Sequence, residues 1–263
     1  MQLNPGKLAD PPFGRLNGVR KEFERRNGDP LLAIEDISFD VADGELISLL
    51  GPSGCGKTTV LRILAGLTEP TVGTVEIRGQ RVVGPQRDFG VVFQSPTLMP
   101  WRTVLDNVLF PMEVQGRKNA AARARALELL ELVGLKGFER VRPNQLSGGM
   151  QQRAALCRAL IHEPTLLLMD EPFGALDELT RMEMNDLLLD IRRVTKATVV
   201  FVTHSITEAV YLSDKVLVFS GRPARIALDL DIDLQYPRSN EIRYSDLFNR
   251  LEERASVALG VTR

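Results

Sequence analysis

Residues 51–58 read Gly51-Pro52-Ser53-Gly54-Cys55-Gly56-Lys57-Thr58 and match the spacing G-x-x-x-x-G-K-[S/T] in full. The glycines of such a segment let backbone N–H groups turn inward around phosphate oxygens, because no side chain stands in the way. Lys57 adds a full positive charge for the outer phosphates, and the Thr58 hydroxyl can ligate Mg²⁺. The segment therefore predicts a phosphate-binding loop, with a chance glycine turn before a helix as the alternative.

The flanking residues supply the strand and the helix that this motif requires. Glu45–Leu50 is a short apolar run that predicts a buried strand, while Val60, Leu61 and Leu64 within Thr58–Leu67 have helical spacing. The partly positive N-terminus of that helix then points at the same phosphate oxygens. The residues expected to contact the nucleotide are Gly51, Pro52, Ser53, Gly54, Cys55, Gly56, Lys57, Thr58 and Thr59.

Cys55 has two interpretations. A thiol beside a helix N-terminus and a lysine can be reactive, which predicts that alkylation inhibits nucleotide hydrolysis and that bound nucleotide protects the thiol. The alternative is a small residue that merely fits the turn.

Two adjacent carboxylates, Asp170 and Glu171, follow the apolar run Leu166–Met169. The run predicts a buried strand, which in phosphate-loop enzymes lies beside the strand that leads into the loop. Asp170 can then hold the hydration shell of Mg²⁺, and Glu171 can polarise a water molecule against the terminal phosphate. Alone, the pair would indicate a solvated turn; together with residues 51–58 it predicts ATP hydrolysis.

Strand and helix patterns alternate along most of the chain, which predicts a mostly parallel sheet covered by helices on both sides. Strand patterns also run from Leu16 to about Val41, and a helical segment over about 101–160, with Thr103 and Asn119 as helix N-caps, interrupts the alternation. We therefore predict an α/β fold whose mostly parallel core sheet carries an N-terminal antiparallel β part and an inserted α-helical subdomain.

The predicted boundaries are a loose leader over 1–15, a nucleotide-binding domain over 16–235 and a helical tail over 236–263. Within the insertion, Leu127, Leu130 and Val133 are expected to form one apolar helix face. The final helix is expected to begin at Ser245 and to carry Leu247, Leu251 and Leu259.

Composition excludes several classes of function. The 263 residues are 44% apolar and 25% charged with a net charge of -1, so no overall basic field favours nucleic acid. No apolar stretch approaches the roughly 20 residues of a membrane-spanning helix, and the N-terminus lacks the apolar core of a secretion signal. Two cysteines make no disulfide framework, so a cytosolic protein that meets a membrane through a partner is expected.

The segment Leu146–Arg153, which reads LSGGMQQR, contains a second helix start suited to anions. Ser147, Gly148 and Gly149 leave bare N–H groups beside a hydroxyl. One domain has no use for two turns that face the terminal phosphate of one nucleotide. Two copies facing head-to-tail do, because each serine-glycine turn then closes the phosphate loop of the other copy.

With this segment the sequence resembles the nucleotide-binding subunits of ATP-binding-cassette (ABC) transporters over nearly the whole chain. The resemblance implies an ABC-type P-loop NTPase domain that binds ATP and Mg²⁺ and pairs with a second copy of itself. It also implies that Phe23 stacks on adenine, that Gln94 joins Mg²⁺ to a transmembrane partner, and that Ser147, Gly148 and Gly149 contact the γ-phosphate across the dimer.

Three further residues acquire roles from the resemblance. Glu171 would be the general base, His204 would be the switch histidine that senses the γ-phosphate, and Asp177 would lie in the loop that links the two sites. Catalysis is then expected to depend on Glu171, His204 and Gln94, with Mg²⁺ held by Thr58, Gln94 and Asp170. The other histidine, His162, is interpreted as structural.

The runs Phe93–Asn107 and Glu171–Asp177 resemble the nitrate/sulfonate/taurine importer branch of this family. Gly174 and Met150 depart from the commonest family residues but are usual for that branch. The apolar loop Ser95–Trp101 is then expected to contact the transmembrane permease, with packing of Trp101 into the core as the alternative. The resemblance further implies a peripheral position on the cytoplasmic face of the inner or plasma membrane and an indirect link to a substrate-binding protein.

Two other classes of function compete with this interpretation. An ABC-type ATPase can serve a different importer, or it can act on DNA or ribosomes; the latter usually carry coiled-coil insertions or two cassettes, and this chain has one phosphate loop. A phosphate-loop kinase or GTPase has no role for Leu146–Arg153.

Overall fold

The computed structural model describes residues 11–24 and 28–261. The strands in chain order are β1 (Gly14–Phe23), β2 (Leu31–Val41), β3 (Leu46–Leu50), β4 (Val72–Ile77), β5 (Gln80–Arg81), β6 (Phe89–Val92), β7 (Leu166–Asp170), β8 (Thr198–Thr203), β9 (Lys215–Phe219) and β10 (Ala224–Asp231). The helices are α1 (Lys57–Leu64), α2 (Val104–Val114), α3 (Ala120–Leu132), α4 (Gly148–Leu160), α5 (Glu178–Thr195), α6 (Ile206–Leu212) and α7 (Asp246–Ala258).

The strands form one sheet in the order β5-β4-β1-β2-β10-β9-β3-β8-β7-β6. Its core half, from β9 through β3, β8 and β7 to β6, is parallel. Strands β3 and β8 are buried along their whole length, which is why they are apolar runs rather than alternating patterns. Since ligands of open α/β sheets bind beyond the carboxyl ends of the strands, the residues after β3, β7 and β8 share the edge where a site is expected.

The other half of the sheet is antiparallel and comes mainly from the N-terminal residues. Strands β5, β4, β1 and β2 pair antiparallel, and β10 joins them to the core because it runs parallel to β2 and antiparallel to β9. The predicted fold class is therefore confirmed: a mostly parallel core sheet with an antiparallel N-terminal part and inserted helices.

The inserted helices begin at the expected caps. Thr103 Oγ1 accepts a hydrogen bond from the N–H of Asp106 at 3.1 Å, and Asn119 Oδ1 accepts one from the N–H of Ala122 at 2.9 Å. Helix α2 continues through Pro111 and ends at Val114. The predicted apolar face of α3 was wrong at Leu127, which is 38% exposed. Small alanines share the buried face instead, because they let α3 lie close to α2 and α4; the buried residues of α3 are Ala122, Ala126, Leu129 and Leu130.

The two ends of the chain differ in part from expectation. Residues 1–10 of the expected leader lie outside the described residues, and β1 begins at Gly14, where it already pairs with β2 and β4. Ser245 caps α7, but Leu247 is 36% exposed while Phe248, Leu251 and Ala255 are buried. The three buried residues are spaced by three and four, so they lie on one side of the helix, and this side packs inward.

Within the described residues, no helix combines the length and the hydropathy that a bilayer-spanning segment needs.

Candidate functional site

The phosphate loop leads from buried β3 into α1, and its backbone takes a shape that glycine permits. Gly54 and Gly56 have φ values of 77° and 124°, which residues with a side chain rarely adopt. Lys57 is 3% exposed, and its Nζ donates to the carbonyl oxygens of Gly51 at 2.7 Å and Pro52 at 3.0 Å. The loop therefore surrounds a buried cation, as a site for an anionic ligand requires.

The hairpin connection between β9 and β10 lies against the phosphate loop. A Cβ added at Gly51 would lie 3.0 Å from Phe219 Cβ, and one added at Gly56 would lie 3.0 Å from the Cβ of the first residue of β10. Arg222 donates from Nη2 to the carbonyl oxygen of Gly54 at 2.8 Å. Sequence reasoning missed this support, because 168 residues separate Arg222 from Gly54 and no local pattern links them.

The loop also contacts the end of β7. Thr58 Oγ1 donates to Asp170 Oδ1 at 2.9 Å, so two of the three expected metal ligands lie together. Burial raises the pKa of Asp170, since it removes water from the carboxylate, and the hydrogen bond from Thr58 and the charge of Lys57 act in the opposite direction. The pair presents two hard oxygen ligands at the mouth of the phosphate loop.

Glu171 occupies the centre of the site. Its backbone has a φ of 45°, a strained value for a non-glycine residue, and its N–H donates to the carbonyl oxygen of Val202 at 3.0 Å. Its Oε2 lies 3.0 Å from His204 Nδ1, and its Oε1 lies 3.8 Å from Lys57 Nζ. The fold thus brings together Lys57, Glu171 and His204 from three separate strand ends.

Gln94 lies on the same edge of the sheet. It follows β6 and is exposed, and a Cβ added at Gly174 would lie 3.7 Å from both Gln94 Nε2 and Glu171 Oε2. All three residues expected to act in catalysis therefore surround one space.

Ser147 and Gly148 are exposed. Ser147 is the N-cap of α4, where its Oγ accepts from the N–H of Met150 at 3.3 Å and its carbonyl oxygen accepts from the N–H of Gln151 at 2.9 Å. Both bonds lie within its own helix, so the outer side of this helix start is open.

Gly149 connects this helix start to the turn at Asp177. Asp177 caps α5, accepting from the N–H of Thr180 at 3.0 Å and from its hydroxyl at 2.8 Å, and these bonds lower the pKa of Asp177. A Cβ added at Gly149 would lie 2.8 Å from Thr180 Cγ2. Two of the turns assigned to the dimer interface are thus packed against one another.

Phe23 ends β1 beside the phosphate loop. It pairs with Leu31, two residues before Ala33, whose carbonyl oxygen would lie 3.1 Å from a Cβ added at Gly56. The ring is 39% exposed, and Lys21 Nζ lies 5.1 Å from its centroid. One exposed aromatic ring next to the loop suits stacking on a base.

Burial bears on two residues with open alternatives, Cys55 and Trp101, and on the expected structural role of His162. Cys55 is 2% exposed, so the interpretation as a small residue that fits the turn is favoured over a reactive thiol. His162 Nε2 lies 3.3 Å from the carbonyl oxygen of Phe89, and burial lowers the pKa of this histidine, as expected for a structural residue. Trp101 is 71% exposed, which favours a contact surface over core packing.

Gln152 is a second residue that sequence reasoning missed. It is 2% exposed, and its Nε2 donates to the carbonyl oxygen of Phe93 at 3.2 Å, which ties α4 to the residue before Gln94. Its only signal in the sequence is a polar residue on the inner face of a helix. The sequence does not show which face of α4 is buried, so this signal could not be recognised.

Comparison with known proteins agrees with this geometry. The family described as "ABC transporter" matches residues 34–174. An uncharacterised ABC transporter ATP-binding protein of Methanocaldococcus jannaschii is 50% identical over 224 residues, which cover 85% of this chain and 84% of that protein. A taurine import ATP-binding protein of Burkholderia pseudomallei is 48% identical over 215 residues, or 81% of this chain and 83% of that protein.

A solved structure has the same fold. It is the dimeric post-hydrolysis state of an ATP-binding cassette bound to ADP and phosphate, and it is 32% identical with a TM-score of 0.75, covering 84% of this chain and 100% of that chain. With the phosphate loop, the Asp170–Glu171 pair and His204 gathered at one edge, this chain belongs to the ABC transporter family and is an ATPase.

Proposed function

We propose that this ATPase energises a membrane importer of a small anionic solute, of the nitrate, sulfonate or taurine type. The observation that carries the ATP-hydrolysing part of the proposal is the convergence of the Glu171–His204 pair, the buried Lys57 and the Thr58–Asp170 contact on one edge of the sheet. The relatives that are named as taurine import proteins support the importer branch.

Glu171 is the proposed general base. Its carboxylate lies between Lys57, which would stabilise charge on the β- and γ-phosphates, and His204, which orients it at 3.0 Å. Glu171 would accept the proton of the water that attacks the γ-phosphorus. His204 would hold that carboxylate in place and sense the γ-phosphate.

Thr58 and Asp170 fit a Mg²⁺ ion that arrives with the triphosphate. Their oxygen atoms are 2.9 Å apart and are hard ligands of the kind that Mg²⁺ prefers. Mg²⁺ keeps several water ligands and is usually bound through one or two protein oxygens together with phosphate oxygens, which suits this pair. Gln94 is the proposed third protein ligand; when bound, the ion would neutralise charge on the phosphate oxygens.

The proposed active form is a head-to-tail dimer of this chain. Ser147 and Gly148 are exposed at the start of a helix, where free N–H groups can bind an anion. In the dimer, Ser147, Gly148 and Gly149 would contact the γ-phosphate held by the other copy, and Asp177 would link the two sites. A related cassette has been solved as a dimer, which supports this arrangement.

The proposed contact with the permease is the surface around Ser95–Trp101. Trp101 is 71% exposed, and residues 93, 97 and 99 of the same segment line a groove of about 590 Å³. Apolar side chains line most of this groove: Phe89, Val91, Phe93, Met99, Phe110, Pro111 and Val114. Such a surface suits a helix or loop of a membrane protein, and it would place this subunit on the cytoplasmic face of the membrane.

Glu171→Gln tests the nucleotide sandwich. The amide cannot accept the proton of water, so we expect turnover to fall about a hundredfold or more while ATP binding persists. The variant should form dimers with ATP and Mg²⁺ and monomers without them, as measured by sedimentation. Lys57→Ala should form no dimer, because it lacks the buried charge for the phosphates. A strictly monomeric ATP-bound Glu171→Gln protein would contradict the proposal.

The importer assignment is tested in cells. Tagged protein from detergent-solubilised membranes should co-purify with a multi-span permease, and a deletion strain should lose growth on taurine, another sulfonate or nitrate as the sole sulfur or nitrogen source. Co-purification with ribosomes or DNA in place of a permease would contradict the importer and favour the alternative function.

A further inference from the structure

A second hydrogen-bonded network lies behind the Glu171–His204 pair. Glu208, on α6, is 6% exposed, and its Oε2 accepts from Thr203 Oγ1 at 2.6 Å. The same hydroxyl accepts from the backbone N–H of Ser205 at 3.0 Å. Glu208 therefore holds the residues on both sides of His204.

Arg181, on α5, holds a different turn. Its Nη2 donates to the carbonyl oxygen of Leu176 at 2.7 Å, and its Nε donates to that of Phe173 at 3.4 Å. Both carbonyl groups lie in the turn from β7 to α5, which ends at Asp177. Arg181 therefore fixes the backbone that presents Asp177 at the proposed dimer surface.

Glu208 and Arg181 meet between these two turns. Glu208 Oε1 lies 4.0 Å from Arg181 Nε, and this oxygen is buried with no hydrogen-bond partner. Burial raises the pKa of Glu208. The hydrogen bond from Thr203 and the nearby Arg181 and His204 act in the opposite direction. Since this buried oxygen faces the guanidinium of Arg181, removal of the Arg181 side chain leaves the buried charge of Glu208 without this partner.

We propose that Arg181 and Glu208 are positioning residues for ATP hydrolysis, which hold the His204 turn and the Phe173–Asp177 turn in one fixed relation. The Glu171–His204 contact would then depend on the position of the Phe173–Asp177 turn, which faces the other copy in the proposed dimer. Neither residue touches the reacting atoms, and both act through backbone groups. This inference rests on the roles of His204 and Asp177 in the proposed function.

The test compares Glu208→Gln and Arg181→Met with a matched control, Glu178→Gln. Glu208→Gln keeps the size of the side chain and an oxygen for Thr203, but it removes the charge that faces Arg181. Glu178→Gln removes a different, exposed carboxylate, which accepts from Arg181 Nη1 at 3.0 Å. The first two variants should lower kcat about tenfold and leave KM for ATP within about twofold, because misplacement of a catalytic group affects the transition state more than binding. The control should match the wild type.

A spectroscopic signature separates positioning from general destabilisation. The chain has 2 histidines, so the imidazole resonances of labelled protein are assigned with a single His162→Asn variant. Glu208→Gln and Arg181→Met should shift the resonances of His204 and leave those of His162 unchanged. The double variant should be no slower than the slower single variant, because residues of one network are not additive.

Unchanged kcat and unchanged His204 resonances in Glu208→Gln would overturn the inference, and so would additive losses in the double variant or a fall in kcat that only follows a lower Tm. These measurements use the isolated ATPase. A failed importer assignment would leave them unaffected, and a failed dimer would show first in the Glu171→Gln sedimentation.

Discussion

The residues that hold the phosphate loop in shape come from distant parts of the chain. Gly54 and Gly56 allow the tight backbone, but Arg222 fixes it through the carbonyl oxygen of Gly54. A hydrogen bond from a charged side chain to a backbone carbonyl is among the stronger kinds, although exposure to water weakens it. Arg222 is therefore expected to affect nucleotide binding without touching the nucleotide.

Arg222→Met should weaken ATP binding about fivefold, the effect of one lost hydrogen bond of about 1 kcal/mol, and leave kcat nearly unchanged. The matched control is Arg225→Met on the same hairpin, whose guanidinium pairs with Glu35 at 2.6 Å instead of with the phosphate loop. Calorimetric titration with ATP, using the hydrolysis-deficient background, measures both variants. Equal affinities in the two variants would show that the Arg222 contact is incidental.

Asp170 illustrates a conflict between function and stability at a single residue. Burial raises its pKa above the ordinary 3.8, so the folded protein binds this proton more tightly than the unfolded chain does. The cost of the buried carboxylate is absent below that value and is present in full once pH rises past the folded pKa. Removing the charge is therefore expected to stabilise the protein at neutral pH.

Asp170→Asn should raise Tm at pH 7, lose that gain near pH 3.5 and abolish hydrolysis, as followed by circular dichroism and an ATPase assay. Asp40→Asn is the control of opposite sign: the hydrogen bond from Arg15 lowers the pKa of Asp40, so its contribution to stability is present at pH 7 and is lost as pH falls below 3.8. A lower Tm for Asp170→Asn at pH 7 would show that the bond from Thr58 outweighs burial.

At the scale of elements, the starts of α4 and α5 are packed so closely that one glycine decides the contact. A Cβ at Gly149 would lie 2.8 Å from Thr180 Cγ2, and Thr180 in turn makes both hydrogen bonds to Asp177. Within Ser147-Gly148-Gly149, the third residue is therefore sterically constrained, in addition to the phosphate contacts proposed for all three.

Gly149→Ala should lower the free energy of unfolding by about 1–3 kcal/mol, the usual cost of overpacking, as measured in urea. Gly148→Ala is the matched control, since an added Cβ meets nothing within 4 Å there and alanine is the better helix former. It should leave stability unchanged or slightly higher. Similar losses of unfolding free energy in both variants would show that the contact with Thr180 contributes nothing to the effect at Gly149.

At the scale of the whole molecule, the described residues include two surfaces for which a partner is proposed. The proposed dimer surface includes the phosphate loop and the exposed Ser147 turn, and the proposed permease surface includes the exposed Trp101 and the groove lined by Phe93 and Met99. Gln94 directly follows Phe93, which lines the groove, and α4 begins at the Ser147 turn and bonds to Phe93 through Gln152. This arrangement gives a structural route between the proposed dimer surface and the proposed permease surface.

Trp101→Ser should reduce the amount of permease that co-purifies with the tagged protein by about tenfold or more, because exposed aromatic residues contribute most to such contacts. Val83→Ser is the control: Val83 is similarly exposed, at 73%, but follows β5 at the antiparallel edge of the sheet. Quantitative mass spectrometry of the purified membranes measures both. Equal recovery of permease with the two variants would place the contact elsewhere.

The sequence by itself determined the fold class and the chemistry of the nucleotide edge. The spacing of Gly51–Thr58, the carboxylates after Leu166–Met169 and the Ser147 turn are local patterns, and local patterns fix which strand or helix end carries which group. The cap residues Thr103 and Asn119 were predictable for the same reason.

Only the tertiary structure decided which distant groups meet. Periodicity gives the relative phase of side chains along an element but not which face turns inward, so the sequence placed Leu247 on the final helix without showing that Phe248, and not Leu247, is buried there. The contact of Arg222 with the phosphate loop and the contact of Arg181 with Glu208 each join residues from separate elements. The exposure of Trp101 likewise depends on which elements pack around it. Their positions follow from how the sheet is ordered and how the helices pack on it, which no short stretch of sequence encodes.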